Sequence, residues 1–435
     1  MKLCLPTFLL LLLQLASPAA LAQIVIDVPG RADVPLAVAR TQGASASGSQ
    51  ASEVWQTLQS DLRLTGYFQL LDPNAHLDRS ANIAPGTFSI DSWMTLGASV
   101  LVKTAFIPQG DTRCDPQRQS VCLDLYIYHV ASNTLLAAHR LRSDTGGIRH
   151  LAHTAADKVV HAVTGRDGPF RFRLLAVSER GGNKEIAAVD LDGRGISPVT
   201  KNGTINLSPA LSPSRDEIAW TSFAKGNPDL FVKNLRTGST RNVSNVLGVN
   251  VSPAWAPDGT ALALARSGAL DTDIVLVHPK TGDLLRSITR GGGIDVAPAY
   301  SPDGKLLAFA SERAGGSQVY IMELSTGEVR RVTFQGTFNG DPVFHPDGQQ
   351  IAFVGRERGG FDIFVVNIDG TNIRRITQDM RDNEDPAWSP DGMYLVFSST
   401  RTGRSELWVS TADGRHQTKV TSGGGWSQPT WVPRP

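Results

Sequence analysis

Four side chains on one short stretch, His150, His153, Asp157 and His161, are of types that could ligate a metal or shuttle a proton. His153 and Asp157 stand four apart and would share a helical face. No cysteine, histidine or carboxylate cluster nearby completes a tetrahedral set, so a local hydrogen bond or a solvated surface is the plainer expectation. Asp382, Glu384 and Asp385 form an acidic cluster that suits polar loops, or a passing cation, better than general acid/base work. The chain has no G-x-S-x-G elbow, no Walker-type loop, no dinucleotide fingerprint and no H-E-x-x-H. Catalysis therefore has no recognisable centre, and no cofactor or metal is expected.

The elements that must hold these residues fall into three parts. Lys2 precedes an apolar run, Phe8 to Leu13, which leads to Ala20-Leu21-Ala22. That is the pattern of a secretory signal peptide over residues 1–22, cut after Ala22, because the run is too short to span a bilayer. Its removal takes Lys2 and no acid, leaving 41 basic against 41 acidic side chains. A balanced charge argues against non-specific nucleic-acid binding, and no later segment has the length and apolarity of a span. In an exported chain Cys114 and Cys122, around a polar Pro-containing loop, read as a disulfide.

Residues 23–165 mix helical and strand periodicity, as an α/β domain would. Val54, Trp55, Leu58 and Leu62 make one helical face that ends at Thr65-Gly66. Strands are expected around Tyr67 to Leu71, Val100 to Val102 and Leu123 to Tyr128, and a second helix from Ile148 to Val163. The apolar start Ile24 to Val28, broken by Pro29-Gly30, could add itself as a strand to another sheet edge.

From residue 169 to 435 the chain is a repeat. Prolines at 209, 253, 298, 342, 386 and 429 recur at steps of 43 to 45, mostly within P-x-aromatic-x-P-D-G. Each Asp-Gly turn leads into apolar strands, and each unit holds about four of them, the content of a propeller blade. Phe172 to Val177 and Glu185 to Val189 read as a blade without its opening strand, and Pro429 to Pro433 supplies that strand from the far end. The expectation is a six-bladed β-propeller closed by its C-terminal strand. Trp255, Tyr300, Phe344, Trp388 and Trp431 recur once per blade, which suits packing between blades better than ligand stacking.

These features together resemble the TolB family of the Tol-Pal system of Gram-negative bacteria. The resemblance rests on Asp61-Leu62-Arg63, Thr65-Gly66-Tyr67-Phe68, Leu71-Asp72, Trp93 with Gly97-Ala98, Ala152 to Asp157 with Thr164-Gly165, and the repeats. It implies a non-enzymatic scaffold in the periplasm that binds the lipoprotein Pal through the propeller and TolA through the N-terminal segment, meeting membranes only through partners. Such a scaffold supports outer-membrane integrity and envelope constriction at division. The TolA-binding segment would fall on Gln23, Ile24, Val25, Ile26, Asp27, Val28, Pro29, Gly30, Arg31, Ala32 and Asp33. Pal-sensitive positions match Val249, Ser252 and Val296, the two valines departing from the polar or small residues usual there. The rival readings are a secreted propeller that binds a carbohydrate or small ligand, and a propeller hydrolase or lyase.

Overall fold

The computed structural model describes residues 33–434 apart from 44–48, 79, 109, 115–119, 145–146, 181, 268–270, 292, 357–358 and 379–380. The signal-peptide reading and Gln23 to Ala32 lie outside the described residues, while Asp33 is described and exposed.

The first unit runs β1 (Val34–Val38), α1 (Ser49–Leu64), β2 (Phe68–Leu70), α2 (Asp91–Thr95), β3 (Val100–Ile107), β4 (Ser120–His129), β5 (Thr134–Asp144) and α3 (Ile148–Thr164). Its sheet has the order β2-β1-β3-β4-β5, with β1 parallel to β2 and β3 and the remaining pairs antiparallel. Side chains alternate across a strand, so β1 feeds two cores. Leu36 and Val38 pack with Leu58 and Leu62 of α1 and Val159 of α3. Ala37 joins Leu101, Tyr128 and Trp93 of α2 on the other face. Cys114 and Cys122 are joined in a disulfide beside Ile107.

The turn Pro169–Arg171 leads into β6 (Phe172–Arg180), β7 (Asn183–Val189) and β8 (Ser197–Pro198). The strand Trp426–Pro433 pairs with β6, from Trp426 opposite Ser178 to Pro433 opposite Phe172, and completes this blade from the end of the chain. Five more four-stranded sheets follow, with inner strands Asn206–Leu211, Asn250–Trp255, Asp295–Tyr300, Phe338–Phe344 and Asn383–Trp388. The six-bladed propeller read from the repeat is the fold observed, and the C-terminal strand gives the first blade the same four strands as the other five.

Two repeated devices fasten the blades. Trp255 Nε1 donates to the Ala210 carbonyl and Trp431 Nε1 to the Ala387 carbonyl, both at 3.1 Å, so these indoles stitch each blade to the one before. The second device is a relay between side chains. Thr377 Oγ1 accepts from the Ile363 N–H at 3.0 Å and donates to Asp362 Oδ1 at 2.7 Å; the same Oδ1 accepts from Asn383 of the next blade at 3.3 Å. Thr333 with Gln318 and Asn339, and Thr200 with Glu185 and Asn206, repeat it.

Candidate functional site

Every inner strand carries the same irregularity. Ser208, Ser252, Ala297, Asp341, Asp385 and Gln428, each just before the motif proline, have φ between 48° and 56°, and the strand register shifts there. This is a β-bulge in which a non-glycine residue occupies left-handed space. The proline that follows has no N–H to give to the ladder, so a bulge is where a strand tolerates it.

These residues line a central channel of about 480 Å³. Around one side of it Ser398 Oγ and the Gln428 N–H both donate to Asp385 Oδ2, at 2.7 and 2.9 Å, and the Ser208 N–H donates to Gln428 Oε1 at 2.7 Å. Water reaches Asp341, yet protein surrounds its carboxyl, and burial with the charge of Asp385 pushes it up to about 6. Burial, then Asp385, Asp382 and Asp341, push Glu384 up to about 7. Of the acidic cluster noted in the sequence, Asp385 lines the channel.

Of the three Pal-type positions, Ser252 and Val296 fall on two neighbouring inner strands and Val249 just before the first of them. Ser252 lines the channel. Val249 precedes its strand, and its N–H donates to Ser267 Oγ at 2.7 Å. Val296 is half-buried opposite Ala310. Loops that lead into the inner strands gather at one end of the propeller and carry apolar side chains into solvent: Leu247 is 90% exposed, Phe334 69%, and Val246, Ile205 and Ile294 are also exposed. No spacing rule pointed to this rim, because isolated apolar residues in polar loops carry no periodicity.

At the other end the inner strands run toward the α/β unit, where a buried ionic joint forms. His153 Nδ1 lies 2.7 Å from Asp61 Oδ2, both side chains fully buried, and its Nε2 is 3.6 Å from Asp190 Oδ2. Asp190 also meets Arg173 Nε at 2.6 Å and Arg434 Nη1 at 3.0 Å, while Arg149 donates to both oxygens of Asp192 at 2.6 Å. Burial opposes the imidazolium, but Asp61 and Asp190 outweigh it and hold His153 up at about 9. Burial also opposes the Asp190 charge, yet His153, Arg434 and Arg173 hold its carboxyl well below the usual range. His153, Asp190 and Asp192 bring their ligand atoms within 4.8 Å of one another, a spacing a cation could use. Three guanidinium groups already neutralise those carboxylates, so the cluster is an ion network. His153 and Asp157 do not bond each other: Asp157 Oδ1 accepts the Phe170 N–H at 2.9 Å, fixing the turn that enters the propeller.

The end of α1 is capped across the same joint. His416 Nε2 donates to the Arg63 carbonyl at 3.0 Å, and Tyr394 Oη lies 3.5 Å from the Thr65 carbonyl. The last carbonyls of a helix have no partner within it, so side chains of the propeller satisfy what the helix cannot.

Among the described residues no helix is long and apolar enough to cross a membrane. Two family profiles match: the TolB amino-terminal domain over residues 22–117 and the TolB beta propeller domain over residues 160–435, more than half of the chain. A Tol-Pal system protein TolB of Syntrophotalea carbinolica is 37% identical over 218 residues, 49% of this chain and 48% of that one. Another of Anaeromyxobacter sp. (strain K) is 36% identical over 267 residues, 60% of this chain and 59% of that one. The match thus spans roughly half the length of these curated relatives. The crystal structure of TolB from Acinetobacter baumannii superposes with a TM-score of 0.79 at 26% identity, covering 93% of this chain and 98% of that one. With both profiles falling in order on the α/β unit and the propeller, the chain belongs to the TolB family of the Tol-Pal system.

Proposed function

We propose that this chain is a non-enzymatic periplasmic scaffold that offers its propeller rim to the lipoprotein Pal and the segment Gln23–Asp33 to TolA. The observation that carries the reading is the rim itself. Leu247, Val246, Ile294 and Phe334 stand exposed around one mouth of the channel, on the end away from the α/β unit. Apolar side chains grouped on a rigid surface favour a protein partner, since covering them recovers about 25 cal/mol per Å². Val249 stands just before the strand that carries Ser252 and shortly after Val246 and Leu247 in the chain, which supports placing the family's Pal-sensitive positions with the apolar rim. The bulges hold that surface without help from a ligand, which lowers the ordering cost of docking.

Asp33, exposed at the start of β1, is where the TolA segment would join the folded unit.

Leu247→Asp tests the Pal surface. An exposed substitution moves stability by less than about 0.5 kcal/mol, so folding is retained. Calorimetric titration with the soluble domain of Pal is expected to show at least a tenfold loss of affinity. Unchanged affinity would remove the rim from the account.

A further inference from the structure

β1 and β2 are neighbouring parallel strands whose carboxyl ends lead to opposite faces of the sheet. The chain leaving β1 enters α1, which packs in the core of Leu36 and Val38; the chain leaving β2 enters α2, which packs in the core of Ala37. In open α/β sheets this divergence leaves a crevice at the strand ends, and such crevices are where ligands bind. Here the crevice exists as a cavity of about 350 Å³, lined by Arg40 and Gln42 after β1, by Asn74, His76 and Asp78 after β2, and by Trp93. That volume suits a small group.

The chemistry of the wall selects the group. Asp78 is already committed: its carboxylate accepts from Trp93 Nε1 at 3.1 Å, from Lys103 Nζ at 3.0 Å and from the Ser80 N–H at 2.7 Å. Arg40 and His76 then offer donors, beside the amides of Gln42 and Asn74, which can donate or accept. The Arg40 guanidinium lies over the Trp55 ring at 4.6 Å and has no hydrogen bond or ion pair among the described residues. Stacking fixes a guanidinium plane while leaving its edge free, and that edge matches carboxylate or phosphate oxygens. His76 packs edge-on to Trp93 at 4.8 Å, and its Nε2 is buried with no partner among the described residues. Burial, opposed by the charge of Asp72 and aided by that of Arg40, lowers the pKa of His76, so a neutral imidazole with one ring N–H to donate stands beside the Arg40 cation on this wall.

We propose that the crevice between β1 and β2 binds a small oxyanion, a carboxylate or phosphate group, held by Arg40 and His76. The site shares no residue with the propeller rim or with Gln23 to Asp33, so it stands whether or not either partner binds as argued above.

Titration of the mature chain, labelled with ¹⁵N-arginine, at constant ionic strength with sodium phosphate, sodium succinate and sodium chloride tests this. Saturable shifts of the Arg40 Nε–H resonance are expected with phosphate or succinate, with chloride giving none. Whichever of the two saturates at lower concentration identifies the group. His76→Phe, which retains packing on Trp93, is expected to weaken binding at least fivefold at the Arg40 resonance, and Arg40→Lys, which retains charge without the fork, at least fivefold in calorimetric titration with the same salts. Shifts that stay linear in concentration, or binding equally strong in both variants, would mean an adventitious ion only and overturn the proposal.

Discussion

His153 shows how one side chain takes opposite meanings in sequence and in space. Its spacing from Asp157 suggests a shared face and a local bond, yet its partners are Asp61 on α1 and Asp190 in the propeller, 92 and 37 residues away in the chain. Nothing in residue types at those separations could have paired them. The ionic character of the joint makes its strength depend on pH. The folded pKa of His153 is raised to about 9 and that of Asp157 to about 7, both above their unfolded values. The stability each contributes is therefore complete below its unfolded pKa and disappears as pH rises through the folded one. Thermal unfolding followed from pH 4 to 10 should show these groups pulling Tm down, Asp157 between about 4 and 7 and His153 between about 6.5 and 9. Asp157→Asn keeps an oxygen for the Phe170 N–H and removes the acid, so its Tm should lose the earlier part of that fall; a profile identical to the parent's would show that Asp157 is not the group responsible.

At the scale of elements, alternation and Asp-Gly turns made the strands readable, and the split first blade made closure readable. The channel bulges were not readable, because Ser, Ala, Asp and Gln at the bulge position share no property that requires positive φ. The blade relay was written in the sequence but unread: Asp362, Thr377 and Asn383 have the same separations as Gln318, Thr333 and Asn339. Thr377→Val removes a buried hydroxyl of nearly the same shape and leaves the Ile363 N–H and an Asp362 oxygen short of a partner. An unsatisfied buried group costs about 1–3 kcal/mol, and denaturant unfolding should show a loss of that size; a change under 0.5 kcal/mol would mean the relay is not structural. Gly66 ends α1 at φ 69°, and a Cβ there would sit 2.8 Å from His416 Cβ. Gly66→Ala should cost more than the ~1 kcal/mol of a strained left-handed residue, because it also forces His416 from the Arg63 carbonyl. Equal stability of the two proteins would contradict that contact.

As a whole molecule the chain is an α/β unit locked to one end of a closed propeller, with the other end left open and apolar at its rim. The class of fold and the number of blades were legible because a repeat states them six times. Of the candidate surface the sequence offered only the family's positions Val249, Ser252 and Val296, since a rim is assembled from loops that have nothing in common but their place. A joint fixed by buried ion pairs suits the proposed scaffold role, because it keeps the open rim and the α/β unit in one orientation. Calorimetric titration of the mature chain, and of a chain lacking Gln23 to Asp33, against the soluble domains of TolA and Pal tests that division of labour most directly. The account predicts that the shortened chain loses TolA binding and binds Pal within about twofold of the parent, a difference under ~0.5 kcal/mol; TolA affinity retained after the deletion would contradict it.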